Sequence, residues 1–493
     1  RNAGISSTVS SRAVGIGFEA LARYGMTSVA TGAPVAIGSE AGRFATGSAN
    51  VFIGYETGKG GTQSGNLTSG DKNVAIGHAA LTAFTTGHSN VTLGYQAGDS
   101  LTSGTQNVLV GMDAGGGSNF TTVSDNVCVG HQAGISNGAS ENTYIGHQAG
   151  YNTNAAGNTF VGYRTGWQYG TGTSNVLVGY TAGTAFRGQE SVIIGHQAGD
   201  GSGTTDLTTS VIIGKDASRY GRGQMITSMG WRAGTYMTGS YNTFIGGFAG
   251  YGSATSAPHG TGTANTTLGA YSAYKMTSGG NNVLVGYAAG IELTTGDNNT
   301  TLGLRAGDTL TTGGNNTYIG YNADASANDV DDEIVLKAGS DALVGGGTET
   351  IRIGVDSDYI VNDFGENATW THSSDRRIKK DIKDTNLGLE FILKLQPKEF
   401  KKKAPSEYPP EFEQYNAETT ERKNPDKIHY GFVAQEVKEA MDSIGHSEFP
   451  VWSKQNDGME MLGETELITP LVKAVQELTE KVKQLEAKLS GSI

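Results

Sequence analysis

The sequence predicts a mainly β chain: a long repetitive shaft of parallel β-roll or β-helix type, then a small α+β unit closing with a coiled-coil helix. Three observations carry that expectation. Glycine recurs at near-constant spacing behind a short β-branched run through the first 330 residues of a chain with 75 glycines among 493 residues. Charge is sparse in residues 1–330, with 14 Lys/Arg and 17 Asp/Glu, and dense in residues 374–493, with 19 and 22. A heptad seam of aliphatic residues runs from Leu471 to Leu489.

Composition excludes several classes. Nine prolines and no three-residue glycine period rule out collagen. The lone Cys128 leaves no internal disulfide framework, so folding in a reducing cytosol is allowed. No apolar run approaches the roughly 18 residues of a membrane-spanning helix, and no signal peptide opens the chain. It starts at Arg1 without methionine, which leaves room for an upstream virion-attachment part. A net charge of −13 argues against nucleic acid as a partner.

The repeat has its own grammar. Pieces such as NVFIGYETG (50–58), NVTLGYQAG (90–98) and NTFVGYRTG (158–166) share an anchoring glycine, eighteen in all from Gly17 to Gly320. The residue before the glycine is aliphatic or Met229, and the residue three before it is Val or Thr. Two-residue alternation puts those positions on one face of a strand. The position between them varies freely (Phe52, Ala75, Thr92, Leu109, Cys128, Tyr144) and is therefore expected to face outward. Asn stands four before the glycine in thirteen of the eighteen units, so stacked coils should line these amides up in a hydrogen-bonded ladder. One strand per coil cannot bury its face alone, so the units must stack, or three chains must wrap together. The pattern resembles the head repeats of trimeric bacterial adhesins, although the spacing here is longer.

No cofactor or metal is expected. Calcium-binding solenoids carry an acidic residue in every coil, and none recurs here. His78, His131, His147 and His196 take the place of Tyr after the repeat glycine and read as solvent-facing variants of that position, and His88 as a further scattered histidine. The acidic connector over 331–373, flanked by DVDDE (329–333) and containing DSD (356–358), reads as solvated turns. Tyr55, Tyr95, Tyr163, Trp167, Tyr180 and Trp231 are outward aromatics suited to sugar faces, but no pattern names a receptor.

At residue 374 the composition changes. The string SDRRIKKDI (374–382), followed by LGLEFILKLQPKEF (387–400), HYGFVAQEV (429–437) and the helix-forming TELITPLVKAVQEL, resembles the C-terminal intramolecular chaperone of phage tailspikes and tail fibres, a self-cleaving serine peptidase of the endosialidase type. The resemblance covers about a quarter of the chain. Ser374, Asp375, Arg377, Lys379 and Ile382 match the family signature, Ile378 stands for its usual Leu, and Gly431, Gln435 and Glu436 fall on its second motif. The resemblance implies that Ser374 and Lys379 form the self-cleaving dyad. Ser373 is set aside because Ile378, not Lys, stands five residues on. On the residues alone, SSD before an aliphatic-and-basic run is equally an ordinary helix N-cap.

A serine hydroxyl needs a base, and lysine serves only when neutral, which burial or like charge (Arg376, Arg377, Lys380) promotes. The final helix is expected to be capped by Thr469 with Pro470 in its first turn. Its seam of Leu471, Val475, Leu478, Val482, Leu485 and Leu489 makes a coiled coil over about 470–489, with Lys481 and Glu486 placed for an interchain pair. Three strands are what the resemblance implies.

These readings lead to a trimeric shaft (1–330), an acidic β connector (331–373) and a chaperone unit (374–493). The expected function is host attachment as a homotrimeric tail fibre or tailspike, with single-turnover self-cleavage as its only enzymatic activity. The partners would be phage tail or baseplate proteins and a host-surface glycan or protein, and the location the virion tail after assembly in the host cytoplasm. The alternative is a trimeric bacterial surface adhesin without an enzymatic role. That alternative needs a secretion signal and a membrane β-barrel, whereas the sequence closes in a charged coil and Gly-Ser-Ile.

Overall fold

The computed structural model describes residues 12–22, 32–61, 68–168, 170–201, 207–252, 260–356, 358–364, 367–372, 374–412, 415–422, 425–454 and 458–490. Arg1, Ser357, Ser373 and the closing Gly-Ser-Ile lie outside them. The chain divides into two units, 1–373 and 374–493.

The first unit is a parallel β-solenoid. Eighteen three-residue strands, from β1 (Val14–Ile16) to β18 (Thr317–Ile319), each pair in parallel with the strands of the preceding and following coils of the same chain. Each chain therefore winds its own coils. Register is uniform: Val91 aligns with Val74 and Val108, and Leu93 with Ile76 and Val110. The sheet runs on past residue 330, through β20 (Ile334–Ala338) and β22 (Thr350–Val355), with the short pair β19 (Ala323–Asp324) and β21 (Leu343–Val344) beside it. It then turns antiparallel in β23 (Asp358–Asp363) and β24 (Asn367–His372).

The sidedness of the strands is the reverse of the sequence expectation. The variable middle residue points into the coil: Phe52, Ala75, Thr92, Leu109, Cys128 and Tyr144 are all fully buried. The Val/Thr and aliphatic positions around it are half-buried or exposed in all eighteen strands. Ala three residues past the glycine is buried in most coils, for example Ala41, Ala97 and Ala249, which leaves the interior to the middle strand residue and to large residues later in the same coil, as with Leu109 and Phe120, Leu177 and Phe186, and Leu284 and Leu293. The middle residue varies because it is matched to its neighbours along the axis: Phe52 packs on Phe84 with centroids 5.5 Å apart, and Tyr144 on Phe160 at 5.2 Å.

The asparagine ladder forms. Asn73 and Asn90 each donate backbone N–H and side-chain Nδ2 to the Oδ1 of the asparagine one coil back, at 2.8–3.2 Å. The same side chains give a further Nδ2 bond to a glycine carbonyl of the next coil, as Asn90 does to Gly104 at 2.9 Å. These buried amides are thus satisfied on both sides. Glu333 occupies the ladder position after Asn316 and is buried, not part of a solvated turn. Its carboxylate accepts from the Tyr318 hydroxyl (3.0 Å) and from the backbone N–H groups of Ser326 and Gly347. Asp329, Asp331 and Asp332 are exposed.

The second unit has a small core of Leu387, Phe391, Val437, Ala440, Met441 and Val451. It is built from α1 (Leu389–Ile392), α2 (Ala434–Ser443) and two short antiparallel pairs: β25 (Lys398–Phe400) with β26 (His429–Gly431), and β27 (Trp452–Lys454) with β28 (Glu460–Leu462). The closing helix α3 spans Ile468–Ser490 and is entered from a 3-10 turn at Glu464–Leu467. Thr469 therefore sits inside the first turn instead of capping it. Glu477 of α3 accepts the backbone N–H of Leu389 at 2.9 Å, which ties the start of α1 to α3. Among the described residues no helix is long and apolar enough to cross a membrane.

A candidate serine–lysine site at the start of the second unit

Residues 374–384 form an exposed loop folded around one 3-10 turn, Arg376–Ile378. Asp375 sets this turn. Its Oδ1 accepts the backbone N–H of Arg377 at 2.8 Å, so the N-cap is Asp375 and not a serine. The Arg377 guanidinium reaches back to the same carboxylate with both prongs, Nε to Oδ1 at 3.0 Å and Nη2 to Oδ2 at 2.7 Å. That fork holds the Asp375 carboxyl below the usual carboxylate range.

The turn closes at Lys379, whose N–H donates to the Arg376 carbonyl at 3.2 Å. Closure brings the Lys379 side chain onto Ser374, where Nζ donates to Oγ at 2.7 Å. This is hydrogen-bond reach for a nucleophile and its base. The capping arrangement and the Ser–Lys contact thus coexist, the first producing the second.

The apolar members of the motif stand uncovered. Ile378 is 66% exposed and Ile382 59%. Gly431, Gln435 and Glu436 lie apart from the loop, at the end of β26 and the start of α2. Gly431 leaves room for the Glu464 carboxylate, 2.9 Å from where a Cβ would stand, and Glu436 pairs with Lys398 at 3.3 Å. Among the described residues no hydrogen bond or ion pair joins them to Ser374 or Lys379. They shape the β25–β26 and α2 framework. The structure adds one residue that sequence reading passed over, Glu477. Its only signal is a carboxylate one turn beyond Lys473 and two beyond Pro470 on a helix otherwise read as a seam.

Residues 374–446 match the family model described as chaperone of endosialidase. No curated protein and no solved structure matches the chain. The match, following directly on a β-solenoid, fits a tail fibre or tailspike with a C-terminal chaperone domain.

Proposed function

We propose that the chain is the shaft and assembly domain of a phage tail fibre or tailspike, built as a homotrimer and trimmed by its own Ser374–Lys379 dyad. The observation that carries this reading is the pairing of the chaperone match with a shaft that leaves an apolar face open. The Val/Thr and aliphatic columns run the length of the solenoid on its outer side, including Val14, Ile16, Val91, Leu93, Ile194, Leu268 and Leu302 at 37–56% exposure. Contiguous apolar surface of this extent is a docking face.

A periodic face has no unique register, since slipping by one coil matches the same residue types again. A separate trimerising unit removes that ambiguity. The uncovered seam of α3, from Leu471 to Leu489, and the exposed Ile378 and Ile382 support the same reading. Three copies are what the family resemblance implies. Attachment to a host-surface glycan or protein, contact with tail or baseplate proteins and a place on the virion tail follow from that class.

In cleavage, Ser374 Oγ attacks the carbonyl of the adjoining peptide bond while Lys379, as neutral amine, takes its proton. The amine leaving group collects a proton, and water then releases the acyl group. Because the attacked bond belongs to the same chain, effective molarity stands in for substrate binding. Lys379 lies in water in the isolated unit, and packing of neighbouring copies would supply the desolvation that a lysine base needs. Denaturing electrophoresis of the expressed chain with and without boiling tests both parts. A boiling-sensitive high-mass band and a released fragment of about 120 residues are expected. An intact monomer in both lanes rejects the reading.

A further inference from the structure

We propose that an open cleft of about 430 Å³ on the solenoid wall, bounded by Tyr271, Tyr287, Ile291, Glu292, Arg305 and Asp308, binds a neutral pyranose ring. Two aromatic columns lead to it. One passes from Trp231 through Phe248 to Tyr271, with centroids 4.7 and 5.2 Å apart. The other passes from Tyr236 through Tyr251 to Tyr274, at 5.2 and 5.1 Å. Only the last step of each column is stacked, Phe248 on Tyr271 at 8° and Tyr251 on Tyr274 at 6°, whereas Trp231 meets Phe248 at 66° and Tyr236 meets Tyr251 at 90°. Tyr271 ends its column and lines the cleft: Phe248 lies parallel to it at 8°, while Tyr274 and Tyr287 meet it tilted, at 5.7 and 5.8 Å.

In the next coil both columns stop together. The position held by Phe248 and Tyr271 becomes Ala288, and the position held by Tyr251 and Tyr274 becomes Ile291. One coil further on, the same two positions become Arg305 and Asp308, whose side chains approach at 3.9 Å. The cleft thus has an aromatic wall, a short apolar floor and a charged wall opposite. Its volume lies within the roughly 300–1,000 Å³ of small-molecule sites.

A pyranose has matching amphiphilicity, with a C–H face for the ring and a hydroxyl rim for carboxylate and guanidinium. The charges are compensated: Glu292 pairs with Lys275 at 2.6 Å and Asp308 with Arg305. That balance favours a neutral polyhydroxylated ligand over a phosphate or sulfate. Burial and the neighbouring Asp324 push the Asp308 carboxyl up to about 6, so above that pH it is chiefly an acceptor and below it can also donate. None of the lining residues belongs to the Val/Thr and aliphatic columns, so the cleft stays open when that face is covered. The site stands on this geometry whatever the chain attaches to.

The test is saturation-transfer NMR of the full chain with the methyl glycosides of glucose, galactose, mannose, N-acetylglucosamine and rhamnose. Transfer to at least one of them is expected. Tyr271→Ala and Arg305→Ala should each cut that transfer by about fivefold or more, and Tyr271→Phe should retain it. Tyr55→Ala, at a distant exposed ring, should leave it unchanged. No transfer from any of the five overturns the proposal, and so does an equal loss in Tyr271→Ala and Tyr55→Ala. If Tyr271→Ala fails to fold, the exposed Arg305→Ala decides alone.

Discussion

Gly230 stands at a corner of its coil with φ +136°, and a Cβ there would lie 2.7 Å from the carbonyl oxygen of Gly246 in the next coil. Gly247, one residue past the following corner, has open space, with Trp231 O at 3.9 Å as the nearest atom. Gly230→Ala should therefore lower unfolding stability by at least about 2 kcal/mol, from backbone strain plus the clash. Gly247→Ala should be near neutral, and chemical denaturation reads both. Asp308 gives a pH signature. Its carboxyl sits near 6 in the folded chain, first through burial and then through Asp324, against about 3.9 when unfolded. The native state holds that proton more tightly. The stabilisation is therefore fully present below about pH 4 and is lost as pH rises through about 6. Across that window the melting temperature of the wild type should fall relative to Asp308→Asn, where this group no longer titrates. At the dyad, Ser374→Ala and Lys379→Ala should abolish release of the fragment of about 120 residues. Lys379→Arg should do the same, since guanidinium is never neutral. Lys380→Ala should still cleave. None of these changes should alter assembly, and gel electrophoresis with size-exclusion chromatography separates the two readouts.

The α3 helix buries Pro470 and Ala474 and leaves Leu478 51% exposed at the middle of the seam. Leu478→Lys should dissociate the assembly, whereas Glu480→Lys, exposed and off the seam, should not. Analytical ultracentrifugation distinguishes them. Spacing left open whether one chain's coils stack or three chains wrap together, but much of this element-level organisation was legible in the sequence: the eighteen strands, the amide ladder and the seam. Which face of the strand is inside was not. Alternation fixes that Val51 and Ile53 share a side opposite Phe52, yet both sides are apolar, so pattern alone cannot choose. The buried alanines past each corner, such as Ala97 and Ala249, make room for the middle residue, but that role is not visible in the alternation itself. At the candidate site, the Ser374–Lys379 pair was readable only through the family resemblance, since the residues alone read equally as an N-cap. The carboxylate fork that fixes the turn was not, since Asp375 and Arg377 look like solvated charges. Glu333 hid for a similar reason: its run of acids is exposed except for the one residue that replaces an asparagine of the ladder.

For the whole molecule, removing residues 374–493 should leave shaft chains that cannot choose a register. Their product should elute as monomer or aggregate, and a soluble heat-resistant trimer from that truncation would argue that the shaft aligns itself. Along the shaft the amide ladder is not continuous. It runs from Asn50 to Asn175, is carried on by the hydroxyls of Ser191 and Ser210, and halts at Ile226, which has no side-chain oxygen to offer Asn242. It resumes from Asn242 to Asn316. The hydrophobic interior divides at the same place, one cluster ending at Ile226 and the next beginning at Ala233, with the inward Ser228 bonded to Ser218 between them. The backbone sheet runs on unbroken there, Ile212 pairing with Ser228 and Ser228 with Phe244, so under load the shaft should lose its interior packing at this point before it loses its strand pairing.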